Sequence, residues 1–104
     1  MSKKALEILT ESMFYVLMSF LRGEKCGTEI AAFVTGRTGG RVSLGPGTLY
    51  TILSKFEEEG LICETQVEGR KRTYRITDLG RAMYRAELAR LRACIHDAEK
   101  EGEP

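Results

Sequence analysis

Residues 69–75, Gly-Arg-Lys-Arg-Thr-Tyr-Arg, carry four bases and no acid. Such a run concentrates positive potential on one short segment, and the chemistry it offers is phosphate binding. A second set, Gly47, Thr48, Thr51 and Ser54, spaces small and hydrogen-bonding side chains along one helical face, flanked by Tyr50 and Lys55. Small polar side chains let a helix backbone approach base edges and hydrogen-bond to them, while Tyr50 and Lys55 suit phosphate oxygens. Taken alone, a basic hairpin tip is more often a solvated turn, Thr51, Ser54 and Lys55 a polar exposed face, and Tyr74 as readily a packing residue as a phosphate contact.

Other chemistries lack material. The chain has a single histidine, His96, and three cysteines, Cys26, Cys63 and Cys94, at wide spacing with no CxxC pair. A disulfide framework and a cysteine-based zinc site are both disfavoured. No nucleophile–base pair or phosphate loop can be assembled, so no catalytic residue, metal or cofactor is expected, and the protein is not expected to be an enzyme. Cys63 and Cys94 are expected on the core side, which leaves Cys26 as the thiol to watch. Lys and Arg number 16 against 15 Asp and Glu, a net charge of +1, so only a local cluster argues for a nucleic-acid partner. Residues 57–68 supply the counterweight, five glutamates and no base, so phosphate is expected to be attracted at one edge and repelled at the other.

These side chains need elements to hold them. The 104 residues make one domain, which by surface scaling buries about two-thirds of its unfolded area. No apolar run approaches the ~20 residues that span a bilayer, and the first residues lack the order of a signal peptide. A cytoplasmic location is expected. After Lys3, Lys4 and an apolar patch of Leu6, Ile8 and Leu9, Thr10 caps a first helix predicted to run to about Arg22, with Gly23 as its stop. Its apolar residues, among them Met13, Leu17 and Phe20, cover nearly the whole circumference, so a partner subunit is expected to cover what the domain cannot. A second short helix follows Gly27 and Thr28 and ends at 36–40. Residues 41–44 suggest a brief strand. Pro46 opens a third helix with a Leu49, Ile52, Leu53, Phe56 stripe, ended by Gly60. Leu61 to Val67 reads as a strand with Leu61, Cys63, Thr65 and Val67 on one side, and residues 72–77 as its return. Thr77 caps a last helix to about Lys100, in which Tyr84, Leu88, Leu91, Ile95 and Ala98 follow a 4-3-4-3 seam expected at a dimer interface.

Helix, helix, helix, hairpin, long helix is the order of a winged helix-turn-helix: a mainly α fold with a small β-hairpin (α+β) plus a C-terminal dimerisation helix. Residues 1–77 would form the winged domain and residues 78–104 the dimerisation helix and tail, in one compact unit. The third helix is then expected in a DNA major groove, with the wing on the flanking minor groove or backbone.

Over roughly residues 6–95 the chain resembles the PadR-like transcriptional regulators. The resemblance rests on Leu9-Thr10-Glu11, on residues 39–50 through Pro46-Gly47-Thr48-Leu49-Tyr50, on Leu53, on Glu57-Glu58-Glu59-Gly60-Leu61-Ile62, and on Arg72-Thr73-Tyr74-Arg75-Ile76-Thr77-Asp78-Leu79-Gly80. Family members often have His-Gly-Tyr-Glu-Ile where this chain has Cys26-Gly27-Thr28-Glu29-Ile30, and the chain has no Trp for stacking flat ligands. The short length resembles the subgroup with one C-terminal helix, which implies a homodimer in which that helix packs against the partner's first helix. The resemblance also implies a repressor on a pseudo-palindromic operator, released by a hydrophobic small-molecule effector. Met13, Phe14, Met18, Phe20 and Met83 are core residues first and effector-pocket residues second. A winged-helix protein–protein interaction module without DNA binding is the alternative, favoured by the near-zero net charge and the Glu57–Glu59 block.

Overall fold

The computed structural model describes residues 8–104, so Lys3, Lys4 and Leu6 lie outside the described residues. Four helices and three strands follow in the order α1 (Glu11–Ser19), β1 (Lys25–Cys26), α2 (Gly27–Arg37), α3 (Pro46–Glu58), β2 (Ile62–Glu68), β3 (Lys71–Ile76) and α4 (Asp78–Glu101). The strands form one antiparallel sheet in the order β1-β3-β2. The α+β winged-helix class read from the sequence is the one observed.

Local chemistry accounts for most element ends. The Thr10 hydroxyl accepts from the Met13 N–H and the Thr77 hydroxyl from the Gly80 N–H, two N-caps that satisfy otherwise orphaned donors. At the end of α3, Gly60 adopts φ +75°, its N–H donates to the Glu57 carbonyl and the Leu61 N–H to the Phe56 carbonyl. That bond pair is a Schellman motif, and only glycine takes its left-handed position without strain. At the wing tip Glu68 pairs with Lys71 and Gly69 has φ +61°, as a two-residue hairpin with glycine first requires.

Three expectations are corrected. The α1 helix ends at Ser19 rather than Arg22, because the next turn tightens to i→i+3 bonds, with the N–H groups of Phe20, Leu21 and Gly23 donating three residues back. The third strand is Lys25–Cys26 rather than residues 41–44, where the Thr38 hydroxyl instead accepts from the Val42 N–H at 3.0 Å and donates to the Val34 carbonyl at 2.8 Å. In the wing, Leu61 and Ile62 are both buried whereas Thr65 and Val67 are exposed. Beyond Cys63 the strand leaves the core, and a bulge at Thr65 breaks the alternation that would have kept those residues on one side.

The core gathers Val16 and Leu17 of α1 and its C-cap Phe20 with Ile30 and Val34 of α2 and the Leu49, Ile52, Leu53, Phe56 stripe of α3, closed by Leu61, Ile62, Tyr74 and Ile76 of the wing base. Leu17 and Phe20, expected at a dimer surface, are 0% and 1% exposed in the protomer's own core, so a partner subunit cannot reach them. Met13 and Phe14 of α1 are half-buried and pack against the core. The first half of α4 packs there, with the Tyr84 ring stacked on Phe14 at 5.1 Å and an Arg81 N–H donating to the Leu21 carbonyl. From Arg92 onward every residue of α4 is exposed, so the helix projects beyond the body. Cys94, expected on the core side, is exposed for that reason, whereas Cys63 is half-buried and Cys26 buried.

A buried carboxylate absent from the sequence reading pins α4 to the start of the chain. Glu87, 3% exposed, accepts from the Leu9 N–H at 2.9 Å and from two Arg90 nitrogens at 3.0 and 3.1 Å. The Arg90 guanidinium, with the Leu9 N–H, holds the Glu87 carboxyl below its ordinary value of 4.5 against the opposing effect of burial. A carboxyl lowered on folding stabilises the fold above its unfolded pKa, and that contribution is lost as pH falls through the folded value. Glu87→Ala is expected to cost about 1–3 kcal/mol at neutral pH by leaving a buried N–H unpaired. Glu87→Gln should flatten the loss of stability below about pH 4.5. Urea unfolding of both variants across that range checks this, and an unaltered acid profile in Glu87→Gln contradicts it.

Candidate nucleic-acid interface

The α3 stripe turns inward, which sends the opposite face of the same helix to solvent. Gly47, Thr48, Tyr50, Thr51 and Ser54 are all exposed, Tyr50 at 57%. The Thr51 hydroxyl donates to the Gly47 carbonyl at 2.9 Å, so its oxygen remains available as an acceptor. Lys55 is only partly exposed and lies 3.7 Å from the Glu59 carboxylate one turn on, a pairing that any phosphate must compete with. Glu58 shares a shallow groove with Tyr50, Thr51, Ser54 and Lys55. From sequence Glu58 belongs only to an acidic block, whereas the fold sets it on the same face of α3 as Thr51 and Ser54.

The wing closes over one end of this face. A cleft of about 260 Å³ is lined by Tyr50 and Leu53 of α3, by Cys26, Gly27 and Thr28 at the start of α2, and by Arg70, Lys71, Arg72 and Tyr74 of the wing. The basic tip therefore shares one concavity with Tyr50, which also borders the separate shallow groove of Thr51, Ser54 and Lys55. The start of α2 adds a contributor the sequence did not single out. Its Glu29 carboxylate accepts from the Cys26 N–H, and that bond, with lesser help from Lys71, holds the carboxyl below its ordinary range.

Two details differ from expectation. Tyr74 is 4% exposed, with burial and the neighbouring Glu57 raising its hydroxyl pKa, so it forms the floor of the cleft and is not a surface phosphate contact. The acidic and basic blocks do not occupy opposite edges. Strand pairing sets Glu68 beside Lys71, and Arg72 donates to Glu64 at 3.1 Å. Among the described residues Arg72 is the one wing-tip base held by an ion pair, while Arg70 and Lys71 are exposed at the turn.

The expected interface seam divides along α4. Tyr84, Leu88 and Leu91 are half-buried, whereas Ile95, at 59%, and Ala98 stand clear of the body. His96 is exposed beside them, and among the described residues no cluster of metal-ligating side chains occurs. No described helix is long and apolar enough to cross a membrane.

A three-helix body with a two-stranded wing beside an exposed polar third helix defines a winged helix-turn-helix protein. The chain belongs to the transcriptional regulator PadR-like family, whose pattern matches residues 16–86. Members of that family are transcriptional regulators rather than enzymes. No curated protein matches the sequence. Among solved structures, a transcriptional regulator from Clostridium thermocellum superposes with a TM-score of 0.77 at 24% identity, over 88% of this chain and 92% of that one. A PadR family transcription regulator from Clostridium difficile gives 0.75 at 18% identity, over 88% and 97%. Both likenesses establish the fold. Bacillus subtilis PadR, solved in complex with operator DNA, gives 0.64 at 25% identity over 73% of this chain and 46% of that longer one.

Proposed function

We propose that this protein is a homodimeric, sequence-specific DNA-binding repressor. The observation that carries the proposal is that Tyr50 of α3 joins two adjoining hollows, a cleft shared with the start of α2 and the Arg70–Arg72 turn and a shallow groove shared with Thr51 and Ser54. A helix presenting Gly47, Thr48, Thr51 and Ser54 suits base edges, and bases on an adjoining hairpin suit the flanking phosphates. The operator complex of Bacillus subtilis PadR supports the same use of the fold. In this reading residues 1–77 bind the duplex and residues 78–104 dimerise, through the unpartnered stripe of Leu88, Leu91, Ile95 and Ala98 together with the half-buried Met13. Two copies related by a two-fold axis set their α3 helices roughly 34 Å apart, one DNA turn, so the operator is a pseudo-palindrome. A dimer clamped on a promoter in the cytoplasm excludes other proteins from it, which is repression. Half-buried Met13, Phe14, Met18 and Met83 around the α1–α4 contact support release by a hydrophobic small molecule.

The test is selection of bound sequences from a random duplex pool at low salt. The expected product is a two-fold-related motif with half-sites about one turn apart. Absence of salt-sensitive duplex binding by a folded dimer contradicts the proposal and favours the protein–protein module.

A further inference from the structure

A hydrogen bond between distant residues ties the wing to the body. Pairing of β2 with β3 slips between Glu64, opposite Tyr74, and Gln66, opposite Thr73, so Thr65 is the extra residue of the bulge. A bulge leaves that residue outside the ladder and bends and twists the strand beyond it. The Thr65 hydroxyl nevertheless finds a partner 41 residues away, donating to a Glu24 carboxylate oxygen at 2.6 Å. The Thr73 carbonyl stands farther off, at 3.3 Å. A hydroxyl has one hydrogen, and the shorter distance is that of a charge-assisted bond, so Glu24 holds it. Glu24 immediately precedes β1, whose Lys25 and Cys26 pair with Tyr74 and Thr73. Because β3 is the central strand, the bond reaches across it from the β1 side to β2. The bonds of Arg72 to Glu64 and of Gln66 to Glu68, by contrast, stay inside the hairpin. Every residue from 64 to 72 is exposed, so packing in the core does not set the angle of the wing.

We infer that Glu24 is a positioning residue for operator binding: by holding Thr65 at the bulge it fixes the angle at which the wing carries Arg70 and Lys71 to the duplex. The inference rests on the operator-binding reading above. From the bulge to the tip the chain spans roughly 15 Å, at about 3.4 Å per strand residue. A swing of about 10° at the bulge then moves the tip by roughly 2.5 Å, enough to break a phosphate hydrogen bond. Charge makes the role testable by sign. A carboxylate beside a phosphate-binding hairpin repels phosphate, so by charge alone its removal tightens binding. As a positioning group, its removal weakens binding.

Fluorescence anisotropy with the selected operator, and nitrogen-15 relaxation of the free chain, test this on full-length variants checked by circular dichroism for an unchanged fold. Thr65→Val keeps the β-branched shape and loses the donor, and Glu24→Ala loses the acceptor. Each should weaken operator binding about threefold per wing, and so about tenfold for a dimer with two. Each should also lower the order of wing residues 66–71 in the free chain. Glu24→Gln and Thr65→Ser keep an acceptor and a hydroxyl, and should stay within about threefold of wild type. Glu24→Ala together with Thr65→Val should cost no more than either alone. With Arg70, Lys71 and Arg72 all replaced by alanine, Glu24→Ala should have no further effect, because no base remains for it to place. Binding that is unchanged or tighter in Glu24→Ala, or an equal loss with and without the wing bases, overturns the positioning role and leaves operator binding standing. Unchanged wing order in the free Glu24→Ala chain overturns the tie itself. A wild-type chain that binds no duplex overturns the operator-binding reading and this role with it.

Discussion

Replacing Arg70, Lys71 and Arg72 together by alanine is expected to lower affinity for the selected operator about a thousandfold near 0.1 M salt. Two copies lose about six phosphate contacts, and at roughly 0.9 per contact the slope of log affinity against log salt should flatten by about five. The three side chains are exposed and sit at a turn held by Gly69, so thermal stability should hardly change. The single changes should not be equal. Arg72 already shares its charge with Glu64, so Arg72→Ala should fall short of Arg70→Ala and Lys71→Ala. Fluorescence anisotropy across a salt series checks both statements. A triple variant that binds as wild type removes the wing from the interface.

Gly80→Ala carries the largest expected effect on the fold itself. A Cβ at this position would stand 2.1 Å from the Leu61 carbonyl oxygen and 2.7 Å from Cγ1 of Ile76, with backbone on the nearer side that cannot swing away. The first turn of α4 is pressed against the entry to the hairpin, where the Thr77 N–H donates to the Leu61 carbonyl and the Thr77 hydroxyl to the Gly60 carbonyl at 2.6 Å. One methyl group must pry this corner open, at a cost of about 3 kcal/mol or more. That corresponds to a fall in Tm of roughly 15 °C for a domain of this size. Because the same corner sets the angle between the wing and α4, operator binding should fall with it. A calorimetric Tm within a few degrees of wild type contradicts the packing account.

The sequence signals that proved legible are those written in local chemistry. Thr10, Pro46, Gly60 and Thr77 each announce a helix boundary through a bond or dihedral that neighbouring residues satisfy, and the α3 stripe announces which face turns in. What stayed illegible depends on distant partners. Lys25–Cys26 is a strand only because β3 offers it an edge, and two residues carry no period. Leu17 and Phe20 look the same in sequence whether α1 is central to its own subunit or shared with another. Glu87 reads as one more helix surface charge until Leu9, 78 residues away, supplies its N–H donor. Gly80 was visible only as part of a family-like motif, since the carbonyl that forbids a side chain belongs to another element. At the candidate site, the α3 face and wing bases were each readable, whereas the cleft that sets the wing bases beside Tyr50 and the start of α2, and the burial of Tyr74, required the fold.

The claim that the α3 face and the wing turn hold one duplex together is tested most directly by photo-cross-linking from positions 51 and 70 of the full chain, in place of Thr51 and Arg70, to the selected operator. The account predicts that position 51 joins to bases within each half-site and position 70 to the flanking backbone, symmetrically in both halves. Cross-links from neither position, on a duplex that the protein demonstrably occupies, would mean that DNA lies on another surface.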